Sequence, residues 1–138
     1  MSAQKNRTEV KTNSKHAVQH DGIHDSEIKS LSIAEDGRAL EIKLRTEAGN
    51  FFKIYLSGIR RLSCNDFRTQ NVIFGMFAYN KTNVKTEMQN DKKRFELTDK
   101  DLDQLSKEIE LGNLFLFQID ASIGCDISCI CEKVEIEI

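Results

Sequence analysis

Three sets of residues in this chain are of types that do chemistry. The first is the thiols, Cys64, Cys125, Cys129 and Cys131. Cysteine pairs spaced C-x2-C hold zinc when two such pairs converge on one ion. Here the last three read C-x3-C-x-C and no second pair accompanies them, so the spacing does not fit a tetrahedral site. Cys129 and Cys131 fall on one face of a strand with nearly parallel Cβ directions, which disfavours a bond between them. The thiols are expected to act as small buried apolar residues. The second set is His16, His20 and His24. On a helix this spacing would align three imidazoles, two of which could hold a metal. Gly22 breaks such a helix, and no acid or thiol has a matching spacing. The third set is the carboxylates, whose use as acid–base pairs depends on geometry that spacing does not supply.

A nucleophilic Cys or Ser needs a nearby His and an orienting acid. All three histidines lie within the first 24 residues. There is no G-x-S-x-G, no phosphate-binding glycine loop and no H-E-x-x-H. The expectation is a protein that is not an enzyme, with no catalytic residue, metal ligand or cofactor.

Charge is the remaining signal. The formal net charge is -2, so no global field selects for nucleic acid. From Leu97 onward, 3 basic residues face 10 acidic ones, a balance of -7, which leaves +5 on the rest of the chain. Asp99, Asp101, Asp103, Glu108 and Glu110 form a candidate acidic surface for a positively charged protein partner. Arg60, Arg61, Lys92, Lys93 and Arg94 form a candidate basic patch. Phe51, Tyr55, Phe67 and Tyr79 near Lys53, Arg60, Arg61 and Arg68 could stack single-stranded nucleic acid, but the C-terminal acidity works against that partner.

These residues need elements to position them. The densest apolar content runs from Asn113 to Ile138, with small or turn-tolerant Ser122, Gly124 and Asp126 in its middle. It predicts two long strands paired about that reversal. In the second strand, apolar residues are odd-numbered at Ile127, Cys129 and Cys131, then even-numbered at Val134, Ile136 and Ile138. A period of two requires a bulge or a change of sheet near Glu132. Upstream, alternation over 25–34, 40–44 and 52–56 predicts an antiparallel meander with one wet face, turned at Asp36-Gly37 and Gly49-Asn50. Residues 59–64 predict a fourth strand. Residues 72–79 predict a fifth, covered on both faces, with a bulge at Gly75. Residues 80–96 carry no periodicity and predict a long mobile loop. Thr98 with Asp101 makes a capping box that opens one helix over about 98–111, closed by Gly112.

The fold class expected is mainly β (α+β): about seven antiparallel strands in a sandwich or half-open barrel, with that helix before the last two strands. Residues 1–22 are polar and predict a flexible tail; residues 23–138 predict a single β-rich domain. No run approaches the roughly 20 apolar residues that span a bilayer, and the N-terminus lacks the apolar core of a secretory signal. Both predict a cytoplasmic protein with reduced cysteines and no membrane partner.

The stretch SGIRRLSCNDFRTQNVIF (57–74), together with IDASIGCDI (119–127), resembles small bacterial proteins, some of them immunity proteins of toxin–immunity systems. The resemblance implies a compact cytoplasmic protein that binds another protein, and it assigns no site residues. The function expected is a non-enzymatic protein-binding module, of the immunity type, that neutralises a partner. Two alternatives are a small-ligand carrier with a pocket lined by Phe74, Phe115 and Phe117, and a structural homodimer joined through an edge strand.

Overall fold

The computed structural model describes residues 6–138. Its elements are β1 (Arg7–Glu9), β2 (Glu27–Ile33), β3 (Ala39–Arg45), β4 (Phe51–Ser57), β5 (Arg61–Asn65), β6 (Val72–Tyr79), α1 (Lys85–Asp91), α2 (Asp99–Glu110), β7 (Phe115–Ile123), β8 (Asp126–Cys131) and β9 (Lys133–Glu137). The nine strands form one antiparallel sheet in the order β1-β9-β4-β3-β2-β6-β7-β8-β5. The sheet does not close. The mainly β, antiparallel architecture is as expected, while nine strands in one unclosed sheet match the expected seven in a sandwich or half-open barrel only roughly. One extra strand is β1; the other arises because the last predicted strand is two.

The break lies where the parity changes. β8 ends at Cys131 and β9 begins at Lys133; β8 pairs with β7 and β5, whereas β9 pairs with β4 and β1. Glu132 is the exposed residue between them, and its N–H donates to the Ser57 carbonyl at 2.9 Å. The neighbouring chain crosses at the same corner, where β4 passes into β5 through Gly58 at φ 65°. A Cβ there would lie 2.5 Å from the Glu132 side chain. Two adjacent strands therefore change partners together.

One hydrophobic cluster gathers Leu40, Ile42 and Leu44 of β3, Ile54 and Leu56 of β4, Ile73 and Met76 of β6, Phe117 and Ile119 of β7, Ile127 and Cys129 of β8, and Val134 of β9. Both ends of the strand order feed it, so the sheet curls around its own core. A second cluster joins Val84, Met88, Phe95, Leu97, Leu102 and Ile109 to Leu114, Leu116 and Ile130. β7 and β8 are thus covered on both faces. Leu116 and Ile130 meet the helices, while Phe117 and Cys129 meet the main core.

α1 is absent from the expected elements, where 80–96 reads as a loop. Its only apolar anchors are Val84 and Met88, one turn apart and each fully buried. A single turn of spacing is too short to register as a period. The meander β2-β3-β4 forms as expected, with Gly37 at φ 73° and Gly49 at φ 95° in its two turns. β6 carries the expected bulge: its register with β7 shifts between Ile73 and Gly75, and unpaired Phe74 is 60% exposed.

The N-terminal segment departs from the expected tail. β1 pairs with β9, and Val10 N–H donates to the Val134 carbonyl at 3.1 Å. Val18 N–H then donates to Met76, and Ala78 N–H to His16, each at 2.9 Å. Val10 and Val18 are buried. Residues 7–18 therefore run as a strap from one sheet edge to the free side of β6. The strap works through backbone pairing and two valines, neither of which polar composition reveals. Residues 1–5 of that predicted tail lie outside the described residues.

Candidate functional site: a groove between α2 and β5

α2 starts at a completed capping box. Asp101 N–H donates to Thr98 Oγ1 at 3.0 Å, and Thr98 N–H donates to Asp101 Oδ2 at 3.1 Å. The Thr98 N–H, more than any other group, holds the Asp101 carboxyl below its usual range. Leu102 and Ile109 turn toward Ile130 and Leu116. In the sheet, Arg61 of β5 pairs opposite Ile130 of β8. The helix therefore lies beside the first residues of β5, and a groove of ≈ 680 Å³ separates them. Arg60 and Arg61 line one wall; Asp101, Gln104, Leu105, Lys107 and Glu108 line the other, with Leu111 and Leu114. Leu111 is 63% exposed.

At about 100° per residue, five carboxylates on one helix do not share one face. Asp99, Asp103 and Glu110 fall on one flank, and Asp101 and Glu108 on the other. The first flank faces cations: Lys92 bonds Asp99, and Lys85 sits 3.6 Å from Asp103. Lys92 holds the Asp99 carboxyl low. Glu110 is exposed. On the second flank, Glu108 accepts from Asn113 Nδ2 at 3.1 Å. The expected acidic surface is thus two strips, and only Asp101 and Glu108 line the groove.

The basic candidates also divide. Arg60 bonds Glu132 at 2.7 Å and holds that carboxyl low. Arg61 donates to the Arg60 carbonyl at 3.0 Å. Lys92 turns to Asp99, and Lys93 is exposed. Arg94 lies 3.8 Å from Asp91 in a separate polar hollow of ≈ 300 Å³. That hollow contains a group the sequence reading missed. Asp91 is 3% exposed and accepts from Gln118 Nε2 at 2.8 Å and Ser128 Oγ at 3.1 Å. It ties the end of α1 to the outer face of β7 and β8. One Asp among many in a polar stretch gives no sign of such a tie. Partial desolvation, then Asp126 and Asp91, raise the carboxyl of neighbouring Asp120, whose residue is otherwise exposed.

The remaining candidates disperse. His16, His20 and His24 pack on three different rings, Tyr79, Phe52 and Phe74, at centroid distances of 5.0, 4.6 and 5.5 Å. Cys125, Cys129 and Cys131 are buried and Cys64 is exposed, all as free thiols. Although Cys64 reaches the surface, partial desolvation by its neighbours, then Cys125, pushes its thiol up to about 11. A hydrogen bond with Cys131, then burial, raises Cys129. Phe117 is fully buried in the main core and Phe115 packs against it, while Phe74 faces solvent. Those three do not line one pocket. Of the four aromatics considered for stacking, Phe51 and Phe67 are half exposed, Tyr55 is buried, and Tyr79 is partly covered by His16.

The two stretches that carry the sequence resemblance meet in space. β5 pairs with β8 from Arg61–Ile130 to Asn65–Asp126. Asn71, 2% exposed, accepts from Cys125 N–H at 3.1 Å and Arg68 N–H at 2.8 Å, and donates to the Arg68 carbonyl at 2.7 Å. Gly124 at φ 85° leaves room for that amide. No described helix is long and apolar enough to cross a membrane. Comparison with family models, with curated proteins and with solved structures returns no match.

Proposed function

We propose that this protein is a non-enzymatic binding module of the immunity type that docks another protein in the groove between α2 and β5. The observation that carries the reading is the composition of that groove. Exposed Leu111 and half-buried Leu105 give it an apolar floor, and charged side chains rim it. An apolar centre with a polar rim is the anatomy of protein interfaces. Arg60 is already matched by Glu132; the rim keeps Asp101 and Glu108 together with Arg61 and Lys107, so it offers charge of both signs. The occupant is a partner segment that seats an apolar side chain against Leu105 and Leu111 and sets a cation beside Glu108.

The test is affinity capture with three immobilised proteins: wild type, Leu111→Glu and Glu108→Lys. Support requires that one protein held by the wild type is lost with both variants and weakens as salt rises. Equal capture by all three, or capture that survives high salt unchanged, overturns the reading.

A further inference from the structure

Among the described residues the sheet presents three stretches of unpaired edge, and they are not alike. β1 is three residues long with Arg7 and Glu9 at its ends. Beyond Glu27 the outer side of β2 begins with a register shift at Lys29. Short strands, charged residues and bulges are the devices that keep an edge from pairing with another chain. β5 is longer than β1 and carries no bulge. It pairs with β8 alone, in unbroken register over five residues. Its sequence, RLSCN, contains no Lys or Pro, and its one charge sits at its first residue.

That strand is complementary to itself. Antiparallel pairing about a two-fold axis at Ser63 sets Arg61 opposite Asn65 of a second copy, Leu62 opposite Cys64, and Ser63 opposite Ser63. This two-fold register uses all five residues, puts no like charges face to face, and joins apolar Leu62 to the Cys64 thiol. The ends also match: the strand is entered through Arg60-Arg61 and left through Asp66, so each copy's cations lie toward the other's carboxylate. Asp66 is engaged by Arg68 at 2.6 Å and Arg60 by Glu132 at 2.7 Å, so this attraction between the ends is small.

We infer that β5 is a self-association edge, at which two copies pair antiparallel with Ser63 on the two-fold axis. The two-fold runs through the sheet, so both α2 helices stand on one side and their grooves flank the shared β5 strands. The inference stands on the edge alone and survives if the groove proposal fails. A five-residue ladder is small beside the roughly 1,200–2,000 Å² of a stable interface, so the dimer is weak and dilutes to monomer.

Sedimentation over a wide concentration range, up to hundreds of micromolar, tests it. The weight-average mass should approach twice the monomer with wild type, remain monomeric with Ser63→Lys, and still double with Ser32→Lys on the β2 edge. The register is tested in a Cys64→Ser background. Opposite residues on paired strands have Cβ atoms about 4.5–5.5 Å apart, near disulfide reach. Ser63→Cys should therefore cross-link to a dimer under mild oxidation, and Arg61→Cys should not. Circular dichroism checks that each variant is folded. A wild type that stays monomeric throughout overturns the inference. So does a dimer abolished by Ser32→Lys instead of Ser63→Lys, or equal cross-linking at positions 61 and 63.

Discussion

Replacing Asn71 with Ala removes the pin between the loop after β5 and the turn between β7 and β8. The side chain makes three hydrogen bonds, at 2.7, 2.8 and 3.1 Å, from a position 2% exposed. Deletion leaves the Cys125 N–H buried without its acceptor and strips both Arg68 backbone groups of their partner. A buried group left unpaired costs about 1–3 kcal/mol, and a partly wet one less. The expected loss is about 3 kcal/mol. Gly124→Ala attacks the same contact from the other side. Its Cβ would lie 2.4 Å from Asn71 Oδ1 and 2.7 Å from the Gln70 carbonyl, at φ 85°. The left-handed backbone costs about 1–2 kcal/mol and the overlap about as much again. Removing Asn71 relieves the first overlap and not the second, so the double variant should fall short of the sum by about 1 kcal/mol. Urea unfolding of the four proteins measures each quantity. A loss below about 0.5 kcal/mol for Asn71→Ala, within the scatter of surface changes, would refute the reasoning; so would strict additivity.

Three further outcomes follow from the same coordinates. Partial desolvation and the charges of Asp126 and Asp91 raise the Asp120 carboxyl, so its ionisation opposes folding. That penalty is absent below the unfolded pKa and complete above the folded one. Asp120→Asn should therefore raise the melting temperature at neutral pH, and the gain should vanish as the pH falls into the acid range. Deleting residues 1–18 uncovers the Val10 and Val18 sites and frees the edges of β6 and β9. At about 1.5 kcal/mol or more per valine the loss is about 3 kcal/mol, with new dye binding and concentration-dependent aggregation; an unchanged melting curve would contradict the strap. Cys64, with its thiol pushed up to about 11, should alkylate roughly tenfold more slowly at neutral pH than an unperturbed cysteine, its smaller thiolate fraction being partly offset by a more nucleophilic thiolate. Stopped-time labelling with mass detection reads this rate.

Period-two burial made most of the sheet legible from residues alone. β3 and β4 stand where alternation puts them and β7 where its apolar run does; β6 forms where expected, but only one of its faces is fully buried, not both. The parity change at Glu132 marks a change of strand partners in the sequence itself. α2 was legible because Thr98, Asp101, the leucine stripe and Gly112 all agree. β1 and α1 were not, since each is short and holds its place through one or two apolar contacts made at long range. The groove was half legible. Asp101, Glu108, Arg60 and Arg61 carry charge at recognisable positions, but their convergence depends on Arg61 pairing opposite Ile130, and register is a tertiary fact. The split of the α2 acids into two strips follows from helix geometry, whereas their pairing with Lys85 and Lys92 needed α1. Asp91 was hidden because burial of one carboxylate leaves no mark on the surrounding sequence.

Amide chemical-shift mapping of the labelled protein, titrated with the partner that Leu111→Glu loses, tests the central claim most directly. The account predicts the largest changes at Arg60 and Arg61 and over 104–111, reduced in parallel by salt. Changes concentrated on β1, β9 and β4, or around His20 and Phe52, with the α2–β5 groove silent, would contradict it.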